Sequence, residues 1–133
     1  MKIADINALV SGELLPASVR FSEEKPWKVQ LCIPDRNSYE GEANDLFDAF
    51  LAARKKAEAD GILAVCRGAQ KNVFPSPMMR SMSNGAIAYE LVNGKQASRK
   101  DTVRIFDQTK PDLAARVEEQ NQFYLDWLQS LKA

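Results

Sequence analysis

Between positions 61 and 100 the sequence places six basic side chains, Arg67, Lys71, Arg80, Lys95, Arg99 and Lys100, against a single acidic one, Glu90. The whole chain balances 18 Lys+Arg with 18 Asp+Glu for a formal net charge of +0, so the remaining residues carry a matching negative excess. Neutral composition thus hides a charge segregated along the chain. Inside this window residues 67–85 form a connection too long for a plain turn, and long connections in compact domains are usually functional or mobile. Ser76-Pro77 is an N-cap and first-turn pair and Asn84-Gly85 a stop signal, so one or two helical turns are expected over residues 78–83. Such a turn would aim free N–H groups near Ser76 into space reached by Arg67, Lys71 and Arg80. Helix-start N–H groups, a serine hydroxyl and guanidinium forks are the groups that bind phosphate or carboxylate. Arg67, Lys71, Ser76, Arg80 and Asn84 are therefore the candidate anion-binding or partner-binding residues. As exposed cations, the three bases among them are expected to add little to folding. The competing reading makes Met78, Met79 and Met82 core filler and the cations a solvated rim.

Elsewhere the chemistry thins out. The 133 residues contain no His. That removes Ser–His and Cys–His nucleophile pairs, His-ligated metals and histidine pH switches together. The two cysteines, Cys32 and Cys66, lie apart in apolar stretches and read as free buried thiols. Residues 35–45 tempt a calcium-loop reading, but Glu40 stands where glycine is needed and Leu46 where the bidentate glutamate is needed. Glu40, Glu42, Asp45 and Asp48 could hold magnesium or exchange protons, but a capped, acidic helix entry explains the same residues with no metal and is the preferred reading. Ser22-Glu-Glu-Lys25 matches Ser-x-x-Lys without the companions that give that motif meaning. None of the glycine-rich phosphate or nucleophile fingerprints occurs. Phe74, between Lys71 and Arg80, is the one aromatic suited to stacking a base. No catalytic residue, metal ligand or cofactor is nominated, and the reading leans away from an enzyme.

The elements that must position these groups follow from periodicity. Ile3, Ile6, Leu9 and Val10 recur at helical spacing before Ser11-Gly12, giving an amino-terminal helix. Val19 and Phe21, then Trp27, Val29, Leu31 and Ile33, alternate with polar residues and predict a β-hairpin with one buried face. Residues 35–43 read as a polar connection to Asn44, an N-cap for a helix over residues 45–60 whose stripe is Leu46, Phe47, Phe50, Leu51 and Ala57. Gly61 ends it, and residues 62–66 form a strand buried on both faces. A further strand over residues 86–92 turns at Asn93-Gly94. A capping box from Ser98 to Asp101 opens a short helix through Val103 and Ile105. Pro111 begins a long carboxyl-terminal helix with the stripe Leu113, Val117, Tyr124, Leu128 and Leu131.

This order predicts a single α+β domain over residues 1–133, a small and largely antiparallel sheet of about four strands covered by helices. No signal-peptide or membrane-spanning stretch is recognisable, so a cytoplasmic protein without membrane contact is expected. The functional expectation is a non-catalytic protein-binding module of the immunity, antitoxin or adaptor class, docking the basic segment on an acidic protein surface. The alternative is a phosphate-containing ligand or nucleic acid at the same segment, and self-association is open to a neutral chain of this kind.

Overall fold

The computed structural model describes residues 1–132 as an α+β fold with two antiparallel sheets and three α-helices. Strands β1 (Lys2–Val10), β2 (Glu13–Phe21), β3 (Trp27–Cys32), β4 (Ser38–Ala43) and β5 (Ile62–Val65) make a curled sheet in the order β4-β3-β2-β1-β5. A smaller sheet has the order β6-β7-β8, from Val73–Phe74, Ile87–Glu90 and Thr102–Arg104. Helix α1 (Leu46–Ala59) packs on β3, β4 and β5; α2 (Pro77–Ser83) joins β6 to β7; α3 (Val117–Ser130) closes the chain.

The expected amino-terminal helix is a strand, and the reason is visible in the turn. Ser11 and Gly12 have φ of 52° and 80°, and Val10 pairs with Glu13, so Ser11-Gly12 is a two-residue hairpin turn with both φ positive, not a helix stop. Ile6, Ala8 and Val10 then bury on one face at a period of two, while Ile3 and Asp5 stay outside. The hairpin of β2 and β3 forms as its alternation requires, with Trp27, Val29 and Leu31 buried and Lys28 exposed.

The polar connection 35–43 contains a fifth strand of this sheet that sequence reading missed. In β4 Tyr39 and Gly41 are buried, whereas Ser38, Glu40 and Glu42 face out. Gly41 is required there: a Cβ would run into the backbone of α1 at Ala49 and Ala53. At the same free edge Lys56 Nζ donates to the Glu40 carbonyl at 2.7 Å.

Helix α1 starts one residue later than expected. Asp45, rather than Asn44, is its N-cap and accepts the Asp48 N–H at 2.8 Å. The expected strand forms over Ile62–Val65, with Leu63 half-buried and Cys66 just beyond it, and Ser98–Asp101 do form a capping box. That box opens only a 3-10 turn before β8, so the helix expected through Val103 and Ile105 is not formed. Pro111 likewise begins a 3-10 turn, and α3 begins at Val117.

The core gathers Trp27, Leu31, Phe47, Phe50, Ile105 and Trp127, with Tyr124 packed against it. Trp127 takes the inward position on α3, leaving Leu128 38% exposed, contrary to the expected stripe. Cys32 and Cys66 are free thiols, Cys66 fully buried and Cys32 half-buried.

Candidate functional site

Residues 67–85 are a 3-10 turn (Arg67–Ala69), strand β6 and helix α2 in succession. A buried polar hub holds the first part of the segment. Gln120, fully buried on α3, donates its Nε2 to the carbonyls of Gly68 at 2.8 Å, Gln70 at 3.1 Å and Val73 at 2.7 Å. Arg54, 1% exposed on α1, donates to Gln120 Oε1, to Gly68 O at 3.3 Å and to Ala115 O at 3.0 Å. These carbonyls thus find side-chain donors inside the core, where buried backbone groups need partners, and that of Gln70 also accepts the Val73 N–H at 3.1 Å. Burial pulls the Arg54 guanidinium down to a pKa of about 10, partly offset by the nearby Cys66 and Glu58. It stays charged at neutral pH.

The five candidate residues fall into two groups. Ser76, Arg80 and Asn84 are the N-cap, the middle and the C-cap of α2. Ser76 Oγ accepts the Met79 N–H at 3.1 Å, and Asn84, at φ 57°, offers its carbonyl to the Leu46 N–H at 2.8 Å. Arg80 bridges to the start of α1: Nη1 lies 2.8 Å from Asp45 Oδ2 and 3.0 Å from Asp48 Oδ1. Its guanidinium also sits over the rings of Phe47 and Phe74, at 5.3 and 5.6 Å from their centroids. Burial works against the Arg80 charge, but the hydrogen bonds to Asp45 and Asp48 outweigh it and raise the pKa above its ordinary value.

Arg67 and Lys71 belong to the other group. Arg67 Nη1 lies 2.9 Å from Glu90 Oε2 and 3.1 Å from Gln70 Oε1. Gln70 Oε1 also accepts from Thr109, and Gln70 Nε2 donates to Asn72 Oδ1 at 2.7 Å, so this network is internally satisfied. Lys71 is exposed and makes no ion pair among the described residues. The fold therefore gives Arg67 and Arg80 carboxylates of their own.

The charges left over are Lys71, Lys95, Arg99 and Lys100, each exposed and without a carboxylate partner among the described residues. The last three lie in the connection from β7 to β8. That connection is anchored on α3, where Trp127 Nε1 donates to Lys95 O at 3.0 Å and Ser130 Oγ accepts the Gly94 N–H at 2.8 Å.

Met78 and Met82 are not core filler, being 65% and 73% exposed on α2. Phe74 is no open stacking platform, since it is 9% exposed and lies parallel to Tyr124 with ring centroids 4.2 Å apart. Of the acidic quartet, Asp45 and Asp48 serve Arg80, and among the described residues no group of three or more His, Cys, Asp or Glu is placed to hold a metal ion. No helix among those residues is long and apolar enough to cross a membrane.

Sequence reading missed Arg54 and Gln120, although their positions gave a signal. Phe47, Phe50, Arg54 and Ala57 follow one helical face, as do Val117, Gln120, Tyr124 and Trp127. A polar residue in the middle of each apolar stripe implies a buried partner, and the two partner each other. No protein-family model matches the chain, and no curated protein matches it in sequence.

Proposed function

We propose that this protein is a non-catalytic binding module that meets an acidic protein surface through the unpaired cations of its basic segment. The observation that carries the reading is the contrast within one stretch of chain. Arg67 and Arg80 have internal carboxylates at 2.9 and 2.8 Å, whereas Lys71, Lys95, Arg99 and Lys100 are exposed with none among the described residues. Paired cations have spent their charge inside the fold, and unpaired ones are available to steer and hold an anionic partner. The six bases of the window thus divide into clamps and contacts. The phosphate reading has less support, because Ser76, Arg67 and Arg80 are each already hydrogen-bonded within the chain.

The test compares wild type with the variant Lys71→Ala, Lys95→Ala, Arg99→Ala, Lys100→Ala, each used as bait in lysate of the source cell with bound material identified by mass. The wild type is expected to retain an acidic protein that the variant loses, with the thermal midpoint unchanged. Loss of retention between 50 and 200 mM salt by orders of magnitude, with nucleic acid in the eluate, would instead assign the segment to a polyanion. Equal retention by both baits would remove these four residues from the interface.

A further inference from the structure

The small sheet ends on β8, which pairs with β7 on one side. Ile87 stands opposite Arg104, Ala88 opposite Val103 and Tyr89 opposite Thr102, and one step further the Ile105 N–H reaches Ala86 O at 3.1 Å. In an antiparallel pair, facing residues exchange bonds only at every second position. Val103, two residues before Ile105, therefore turns its N–H and C=O towards β7, and Thr102 and Arg104 turn theirs away. The Ile87 N–H, turned away from β8 in the same phase, donates to Ser83 Oγ at 3.2 Å.

The Asp107 N–H takes the Arg104 carbonyl at 3.2 Å. Neither the Arg104 N–H nor the two main-chain groups of Thr102 meet a bond from any other segment among the described residues. Arg104 is exposed and Thr102 and Val103 are half-buried, so this margin borders solvent.

A second observation gives the margin a charge. Arg99 and Lys100 stand in the 3-10 turn just before β8 and Arg104 at its end, all exposed and without a carboxylate partner among the described residues. Asp101, the acid within this run, accepts the Ser98 N–H at 3.2 Å in the capping box, and Asp107 lies beyond buried Ile105. Pairing β8 with β8 of a second copy would gather these cations against one another, and facing like charges are destabilising.

We propose that an extended acidic segment of the partner adds to the small sheet along β8, its main chain bonding Thr102 and the Arg104 N–H and its carboxylates meeting Arg99, Lys100 and Arg104. This rests on the docking reading above and narrows the partner's chemistry. Thr102 and Arg104 share one face of the sheet, so the segment carries Asp or Glu at alternate positions, with branched apolar residues on the side of Val103.

The test uses ¹⁵N-labelled full-length protein and the peptide acetyl-Thr-Glu-Val-Glu-Val-Glu-Thr-amide. Titration should shift the backbone signals of residues 99–104 to saturation and slow hydrogen exchange at the Thr102 and Arg104 amides. The same peptide N-methylated at its glutamates keeps its charges but lacks the N–H groups that face β8, and should bind at least about tenfold more weakly. Arg99→Ala, Lys100→Ala, Arg104→Ala should weaken the unmodified peptide by a similar factor; should that variant fail to fold, the two wild-type titrations decide. Equal affinity for both peptides, or shifts without slowed exchange at Thr102 and Arg104, would overturn strand addition while leaving charge-led docking in place. Absence of saturable shifts would overturn it too, with the bait comparison still deciding the docking reading separately. Slowed exchange of the two amides that grows with protein concentration in the absence of peptide would give the margin to a second copy and overturn the proposal.

Discussion

Arg54 Nη1 donates to Gln120 Oε1 at 2.6 Å, joining the middle of α1 to α3 through the interior of the protein. Between them the two side chains donate to the carbonyls of Gly68, Gln70, Val73 and Ala115. The stability of the segment carrying Arg67 and Lys71 is therefore set by two residues that never reach the surface.

Removing either member should be costly, because the other then remains buried with unmet hydrogen bonds. Arg54→Met and Gln120→Leu are each expected to lower the unfolding free energy by about 3–5 kcal/mol in urea titrations. The double change should cost less than the sum of the two, since the groups are coupled. Full additivity would mean that the two side chains act independently.

Arg80 is expected to behave unlike the cations around it. Its side chain is 27% exposed, bonded to Asp45 and Asp48, and laid over two aromatic rings. Arg80→Ala should cost about 1–3 kcal/mol, the range for a charged hydrogen-bonding group whose partners are left behind. Lys71→Ala should stay within about 0.5 kcal/mol of wild type. Thermal denaturation of the two single variants side by side separates a clamp from a free surface charge. A small effect at Arg80 would place its carboxylate contacts among ordinary surface pairs.

The two thiols should differ in reactivity and in their effect on pH dependence. Burial pushes the Cys66 thiol from 9.0 to about 11, against the opposing pull of Arg54 and the N–H groups of Ala69 and Gly68. The folded state thus holds this proton more tightly than the unfolded chain. That contribution is whole below pH 9 and is lost as pH rises through about 11. Stability of Cys66→Ala, referred to its own value at pH 8, should fall less than that of wild type across this window. Arg54, lowered to about 10, shifts stability in the opposite sense above that pH and is present in both proteins. At pH 8 a thiol reagent should label Cys32 in the native protein and reach Cys66 only on unfolding. Equal labelling of both would show that the interior around Cys66 opens readily.

The α+β class, the β2–β3 hairpin, α1 and the buried strand β5 were legible because each carries its own period and its own stop signal. Strand β1 was misread because Ile3, Ile6, Leu9 and Val10 satisfy a helical spacing by coincidence, while Ile6, Ala8 and Val10 carry the true period of two. Strand β4 was hidden because its inward residues are Tyr39, Gly41 and Ala43, with too little apolar bulk to register beside Glu40 and Glu42. In the candidate site the capping roles of Ser76 and Asn84 could be read locally. The carboxylates that claim Arg80 could not, since Asp45 and Asp48 lie more than thirty residues away in sequence. Local patterns report local geometry, and pairing across such separations emerges only once the fold exists.

The bond from Lys56 to Glu40 bears on how copies of this protein meet at high concentration. A free outer strand offers its carbonyls and N–H groups as a template on which another chain can extend the sheet. At β4 one of those carbonyls is occupied by an ammonium group, and Glu40 and Glu42 project charge along the same margin. A strand arriving from a second molecule would have to displace the lysine and strip water from carboxylates before its first ladder bond could form. On the β4 side the sheet thus resists extension by another strand without a covering segment.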